Sequence, residues 1–135
     1  MPRILNVLLV EDNPDDAHLT LRALRKFGPA LLTKVAGDGQ EALVGLLETD
    51  EPLPDVVLLD LHLPKVSGQD VLKRIRDSDR TSGLPVVVLR SDGEPDDVRL
   101  AYERLASASI HKPVTESNFL AVVQELGIEW GGGAE

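Results

Sequence analysis

A short apolar run that ends abruptly on an acid constrains the fold of this chain more than any other feature. Val56 to Leu59 is an unbroken apolar stretch with β-branched members, and it stops at Asp60. Such a run is typical of a strand that is buried on both faces, as in parallel sheets. Asp60 would then lie at the carboxyl end of this strand, which is where open α/β sheets place their ligands. A charged side chain beside so apolar a stretch is rare unless it is paired or used.

A second strand candidate also closes on acidic residues. The apolar segment 4–10 ends directly at Glu11 and Asp12. If both strands belong to one parallel sheet, their carboxyl ends meet at the same edge. Three carboxylates that converge there repel one another, and this predicts a bound cation.

Strand and helix patterns alternate along the rest of the chain. Further strands are predicted at 31–35, 85–89 and 107–110, and helices are predicted to begin near Asn13, Asp38, Ser67, residues 92–97 and Thr115. Five strands alternating with five helices predict one α/β domain whose parallel sheet is covered on both faces. The glycine-rich end is expected to fray. We therefore predict a domain over residues 1–127 and a flexible tail over residues 128–135.

Composition narrows the possible functions. The chain has 135 residues, of which 42% are hydrophobic, and no apolar run reaches the length of a membrane span. The start lacks a signal-peptide pattern, so we expect a cytoplasmic protein without a membrane partner. A net charge of −9 argues against nucleic acid as a partner, and we expect no appended DNA-binding domain. The absence of cysteine excludes disulfides and thiolate metal sites.

Three motifs together resemble a known family. They are Leu9–Pro14 (LVEDNP), Leu58–Pro64 (LLDLHLP) followed by Gly68, and His111–Pro113 (HKP). In this order and spacing they resemble the receiver domain of bacterial two-component response regulators, over nearly the whole chain. Within that family the chain is most similar to the short, stand-alone regulators that are paired with bacterial phytochrome kinases. The resemblance implies a flavodoxin-like fold with strand order 2-1-3-4-5 and five helices.

The resemblance also implies a chemistry. Receiver domains take a phosphoryl group from the phosphohistidine of a sensor kinase onto the aspartate at the position of Asp60. Attack by a carboxylate on a phosphoryl group brings two anions together, so positioning and charge neutralisation must supply the catalysis. By the resemblance, Asp12 and Asp60 are direct Mg²⁺ ligands, the backbone carbonyl of His62 is a third, and Glu11 acts through water. Lys112 would pair with Asp60 and then with a phosphoryl oxygen.

Two positions depart from the family pattern. The family has a Thr or Ser directly after the fourth strand, where this chain has Arg90 followed by Ser91. It also usually has an aromatic residue three positions before the lysine, where this chain has Ser109. The usual switch from hydroxyl to aromatic therefore cannot be carried over. Either Arg90 contacts the phosphoryl group or Asp60 through its guanidinium, or it points to solvent and Ser91 supplies the hydroxyl.

Two other functions remain open beside the phosphoacceptor. One is a pseudo-receiver, a binding module that is not regulated by phosphorylation, and the substitutions Arg90 and Ser109 are its support. The other is a phosphatase or mutase of the haloacid-dehalogenase type. Those enzymes carry an Asp-x-Asp pattern after the first strand, where this chain has Glu11-Asp12-Asn13.

A phosphoacceptor without an output domain must signal by changing its association with other proteins. The expected partners are a sensor histidine kinase and a second copy of the chain, bound through the face of the fourth and fifth helices. Leu100 and Trp130 are candidates for an exposed contact surface, although a tryptophan near a terminus more often packs on its own domain.

Overall fold

The structure is a computed structural model that describes residues 3–63, 67–93 and 96–130. None of the helices in this part of the chain is both long and apolar enough to cross a membrane. The strands are β1 (Leu5–Val10), β2 (Leu31–Ala36), β3 (Val56–Asp60), β4 (Val86–Arg90) and β5 (Ala108–His111). The helices are α1 (Pro14–Arg25), α2 (Gly39–Leu47), α3 (Gly68–Asp77), α4 (Asp96–Leu105) and α5 (Glu116–Glu125).

The five strands form one sheet in the order β2-β1-β3-β4-β5. Every neighbouring pair is parallel. This is the flavodoxin-like architecture that the motifs implied, and the fold prediction is confirmed. In such a sheet the carboxyl ends of all strands lie at one edge, and the order changes direction between β1 and β3, where ligands bind in folds of this class.

Apolar side chains cover both faces of the sheet. The central strand β3 is buried along its whole length. Its side chains point alternately to the two faces of the sheet. Leu58 packs in the cluster beneath α1 and α5, and Leu59 packs in the cluster beneath α2, α3 and α4. A strand with both faces covered can be apolar at every position, which explains the unbroken run in the sequence.

The predicted boundary of β4 is wrong by one residue. The sequence indicated a strand ending at Leu89, but the ladder continues through Arg90, which pairs with His111 of β5. The backbone N–H of Lys112 then donates to the Arg90 carbonyl over 2.7 Å. Because this hydrogen bond extends the pairing, Arg90 is the last residue of the strand and not the first residue after it.

Helix α1 begins where its capping residue predicts. The side chain of Asn13 accepts hydrogen bonds from the backbone N–H groups of Asp15 and Asp16. Two acids therefore lie in the first turn of α1, where the helix dipole favours negative charge. This turn directly follows the acidic end of β1.

The end of the chain packs further than the sequence suggested. Residues 128–135 were expected to form a flexible tail, but Ile128 and Trp130 pack against the core beneath α1 and α5. The Trp130 indole N–H donates to the Ala30 carbonyl over 2.8 Å, and its ring lies 4.8 Å from that of Phe27. Trp130 therefore packs on its own domain. Residues 131–135 lie outside the described part of the chain, so for them a flexible tail stays a prediction.

Candidate functional site

Three carboxylates meet at the carboxyl edge of the sheet. Glu11 and Asp12 directly follow β1, and Asp60 ends the neighbouring β3. Val10 pairs with Leu59 in the parallel ladder, so the residues that follow them lie side by side. Glu11, Asp12 and Asp60 each offer an oxygen atom, and these atoms all lie within 4.8 Å of one another. The structure thus brings together the three acids to which the strand ends pointed.

Two of the three acids are buried and hydrogen-bonded. Glu11 is 2% exposed and Asp60 is 3% exposed, whereas Asp12 is exposed. One Asp60 oxygen, Oδ1, accepts from the backbone N–H of His62 over 3.1 Å. Glu11 Oε2 accepts from the backbone N–H of Asn13 over 3.4 Å. Such partners are what a buried carboxylate needs, because burial without them is costly.

Lys112, which directly follows β5, contacts the acidic side chains of the site. Its ammonium lies 3.0 Å from Glu11 Oε1 and 3.2 Å from Asp60 Oδ2. A third carboxylate, Asp16 on α1, lies 3.3 Å from the same nitrogen. The hydrogen bond from the Lys112 backbone to Arg90 holds the start of this side chain beside β4. The peptide bond from Lys112 to Pro113 is cis.

Burial and neighbouring charges shift the pKa values of Glu11 and Lys112. Burial, together with the neighbouring Asp60, raises the pKa of Glu11 from 4.5 to about 8, although Lys112 acts in the opposite direction. Burial lowers the pKa of Lys112, but its contacts with Glu11 and Asp60 outweigh this and hold it above its usual value. Lys112 is therefore cationic at physiological pH. This one ammonium contacts three acidic side chains, those of Glu11, Asp16 and Asp60.

The donor set suits a hard divalent cation. Carboxylate oxygens are the ligands that Mg²⁺ prefers, and Mg²⁺ usually keeps several waters and takes one or two protein carboxylates. Glu11, Asp12 and Asp60 supply such oxygens, and the exposed side of Asp12 leaves access for water. A cation at this position would also relieve the repulsion among the three acids. The predicted His62 carbonyl ligand belongs to the exposed residue two positions after Asp60.

Gly68 and Tyr102 pack against the backbone at Asp60 and Leu61. A Cβ atom at Gly68 would lie 2.8 Å from the Asp60 carbonyl oxygen and 2.7 Å from the Tyr102 hydroxyl, so the start of α3 can approach only as glycine. The Tyr102 hydroxyl donates to the Leu61 carbonyl over 3.2 Å. Helix α4 is thereby hydrogen-bonded to the residue after Asp60. No motif or spacing in the sequence marks this contact of Tyr102.

Arg90 and Ser109 lie on the other face of the sheet from Asp60. Arg90 lies two residues after Val88 and therefore on the same face of the sheet, toward α4, where it lines a cavity of about 170 Å³ together with Ser109 and Tyr102. The Arg90 Nε is buried and has no hydrogen-bond partner among the described residues. In the described part of the chain, the charged partner of Asp60 is Lys112 and not Arg90. Arg90 is half-buried, so it does not simply point to solvent.

The sequence supports Ser91 and Asp16 as site residues to different degrees. Ser91, a candidate for the hydroxyl, is half-buried and follows the last residue of β4. Asp16, by contrast, is not among the residues that the sequence motifs single out. Its contact with Lys112 joins residues 96 positions apart, and no local pattern marks it.

Comparison with protein families gives one match that spans most of the chain. Residues 7–124 match the family described as response regulator receiver domain. The probable methanogenesis regulatory protein FilR2 of Methanothrix harundinacea is 38% identical over 93% of this chain and 83% of its own length. The DNA-binding response regulator MtrA of Mycolicibacterium smegmatis is 36% identical over 87% of this chain, which spans only 48% of MtrA.

Solved structures show the same similarity in three dimensions. The bacteriophytochrome response regulator AtBRR has a TM-score of 0.84 at 43% identity, with 96% of this chain and 97% of AtBRR covered. The phosphorylated cyanobacterial phytochrome response regulator RcpA has a TM-score of 0.75 at 30% identity, covering 98% and 97%. The Mn²⁺-bound response regulator Rcp1, from Synechocystis sp., has a TM-score of 0.71 at 30% identity, covering 90% and 91%.

Proposed function

The chain belongs to the response regulator receiver domain family, and from this premise we propose that it is a Mg²⁺-dependent phosphoacceptor whose Asp60 receives the phosphoryl group. Proteins of this family act in signalling and are not enzymes in the usual sense, and receiver domains interact with sensor histidine kinases. Among its relatives, this chain is close to the phytochrome response regulators. The proposed phosphoryl donor is therefore a sensor histidine kinase of the phytochrome type, and the proposed location of the transfer is the cytoplasm.

One observation carries this proposal. The buried Asp60 faces an ammonium at 3.2 Å and shares its edge of the sheet with two further carboxylates. A nucleophile, a fixed cation and a set of oxygen donors for a mobile cation are the parts that phosphoryl transfer to a carboxylate requires. The existence of a phosphorylated relative, RcpA, supports the same assignment.

The transfer step follows from these positions. A carboxylate oxygen of Asp60 forms a bond to phosphorus, and the P–N bond of the donor phosphohistidine breaks. The bonding electrons stay with the imidazole, which takes up a proton, and Asp60 becomes an acyl phosphate. Lys112, whose ammonium lies 3.2 Å from the Asp60 carboxylate, then binds a phosphoryl oxygen and stabilises its negative charge. Water later hydrolyses the acyl phosphate and returns Asp60 to the resting state.

The residues present fit the divalent cation that this chemistry needs. Asp12 and Asp60 would hold Mg²⁺ directly with the His62 carbonyl, and Glu11 would act through water. Bound there, Mg²⁺ would neutralise charge on the phosphoryl oxygens. The Mn²⁺-bound form of Rcp1 supports a cation site in a relative of this chain.

Labelling by a small phosphodonor tests the proposal. Wild type incubated with acetyl phosphate and Mg²⁺ should gain one phosphoryl group in its intact mass, and EDTA should prevent the gain. Asp60→Asn should stay unlabelled, whereas Asp50→Asn, which removes an exposed carboxylate in the loop before β3, should label as wild type does. Equal labelling of Asp60→Asn and wild type would contradict the proposal.

A pseudo-receiver is the second candidate function. Arg90 and Ser109 favour it, since they line a cavity at the positions where the family has a hydroxyl and an aromatic residue. In that case wild type stays unlabelled by acetyl phosphate at saturating Mg²⁺. Release of phosphate from small phosphomonoesters would instead indicate the phosphatase alternative.

A further inference from the structure

In the resting site the ammonium of Lys112 donates hydrogen bonds to Glu11 and Asp16 and forms an ion pair with Asp60. A lysine ammonium carries three N–H donors. Three carboxylates surround this one, with contact distances of 3.0 Å to Glu11, 3.2 Å to Asp60 and 3.3 Å to Asp16. A phosphoryl oxygen that enters the site must compete with these three carboxylates for the ammonium of Lys112.

The three carboxylates differ sharply in how easily they can be released. The side chain of Glu11 is 0% exposed and that of Asp60 is 4% exposed, whereas that of Asp16 is 44% exposed. A buried carboxylate that loses its cation is left without solvation, which is strongly unfavourable. Water can solvate Asp16 as soon as the ammonium leaves.

The position of Asp16 on α1 lowers the cost of its release still further. Asp16 lies in the first turn of α1, whose N-terminus is capped by Asn13. The helix dipole favours a negative charge in this turn whether or not Lys112 is near. Asp60 itself carries the phosphoryl group, so of the other two partners of the ammonium, Asp16 is the one that can be exchanged for a phosphoryl oxygen at the lower cost.

We propose that Asp16 is a displaceable counter-ion, a positioning residue that accepts a hydrogen bond from Lys112 at rest and yields this donor to the phosphoryl oxygen. This inference rests on the proposed phosphoacceptor function. In the resting protein Asp16 holds the ammonium on the α1 side of Asp60. In the phosphorylated protein Asp16 competes with the phosphoryl group for the same donor, and it thereby weakens phosphoryl binding.

Removing the Asp16 charge should strengthen the binding of a phosphoryl mimic. We expect Asp16→Asn to bind beryllofluoride at saturating Mg²⁺ about two- to five-fold more tightly than wild type, which is the range that partly exposed ion pairs span. Isothermal titration calorimetry measures this affinity, and thermal unfolding checks that each variant is folded. Asp16→Glu, which keeps the charge, should bind as wild type does.

The neighbouring acid provides a matched control. Asp15 lies in the same turn of α1 and carries the same charge, but its carboxylate is not one of the three that contact the ammonium. Asp15→Asn therefore reproduces the change in net charge and in the helix dipole without the contact. It should bind beryllofluoride within experimental error of wild type.

A double-mutant cycle separates a role through Lys112 from a general structural effect. In a Lys112→Ala background, Asp16→Asn should no longer change the affinity for beryllofluoride. A gain in affinity that persists without Lys112, or an equal gain in Asp15→Asn, would overturn the inference. Failure of wild type itself to bind beryllofluoride or to be labelled would instead count against the proposed function, so the two failures are distinguishable.

Discussion

The surroundings of Glu11 shift its pKa strongly. Burial and the neighbouring Asp60 raise its pKa from 4.5 to about 8. Between these two pH values the folded protein holds a proton that the unfolded chain has lost. Stability falls with rising pH wherever the folded state binds more protons than the unfolded state. In the cation-free protein Glu11 therefore costs stability as the pH rises through this window.

We expect this effect to appear in urea unfolding measured with EDTA at about pH 5.5 and about pH 7.5. Wild type should lose stability between the two pH values, and Glu11→Gln, which cannot titrate, should lose less. The His111 pKa is raised by its hydrogen bond to Asp92 and changes stability in the same direction. Because His111 is present in both proteins, only the difference between them reports on Glu11. Equal losses in both proteins would contradict the assignment.

Gly68 gives a second expectation at the scale of single residues. A Cβ here meets the Asp60 backbone and the Tyr102 hydroxyl at less than 3.0 Å, so Gly68→Ala should cost about 1–3 kcal/mol of unfolding free energy. At Gly45, in α2, an added Cβ would have nothing within 4 Å, and Gly45→Ala should stabilise by up to about 1 kcal/mol. Urea unfolding of the two variants measures both signs. A Gly68→Ala protein as stable as wild type would contradict this close approach of α3 to β3.

At the scale of secondary-structure elements, the sequence predicted much of what places the site. The apolar runs of β1 and β3 located their acidic ends, because a strand covered on both faces leaves no room for polar residues until it reaches the edge. The capping residue Asn13 likewise located the start of α1. Contacts between side chains of distant elements were not predictable in this way. Asp16 and Tyr102 act through the reach and rotamer of one side chain, and neither periodicity nor capping encodes these.

The end of β4 shows the same limit and leads to a test. The length of the ladder, and not the apolar pattern, decides that Arg90 belongs to the strand and faces the cavity beneath α4. From there its guanidinium must leave the cavity to contact a phosphoryl group on Asp60. If it does so, Arg90→Ala should shorten the half-life of the phosphorylated protein, measured by the decay of radiolabel. An unchanged half-life for Arg90→Ala with a shortened one for Ser91→Ala would assign the contact to Ser91.

At the scale of the whole molecule, the question is how a phosphorylated domain passes on its signal. We propose association with a second copy through the face of α4 and α5. Leu100, on α4, is 53% exposed and offers an apolar contact there, whereas Trp130 is committed to its own domain. A contact made by one exposed leucine is weak by itself, so the proposed dimer would depend on phosphorylation to be populated.

Light scattering coupled to size exclusion tests this proposal. With acetyl phosphate and Mg²⁺ we expect the mean mass of wild type to rise toward that of a dimer, and Leu100→Asp should reduce the rise. Leu32, which is 56% exposed on the opposite edge strand β2, supplies the control, and Leu32→Asp should dimerise as wild type does. Monomer alone, with and without the phosphodonor, would contradict the proposal.

The location of the phosphoryl group is the most direct test of Asp60 as the phosphoacceptor. Acyl phosphates are reduced by borohydride to the corresponding alcohol, so borohydride treatment of the labelled protein marks the modified aspartate permanently. Peptide sequencing by mass spectrometry should then find the reduced residue, homoserine, at position 60 in Mg²⁺-treated protein and nowhere after EDTA treatment. Reduction at position 12, or at an acid outside this edge of the sheet, would contradict the assignment of Asp60.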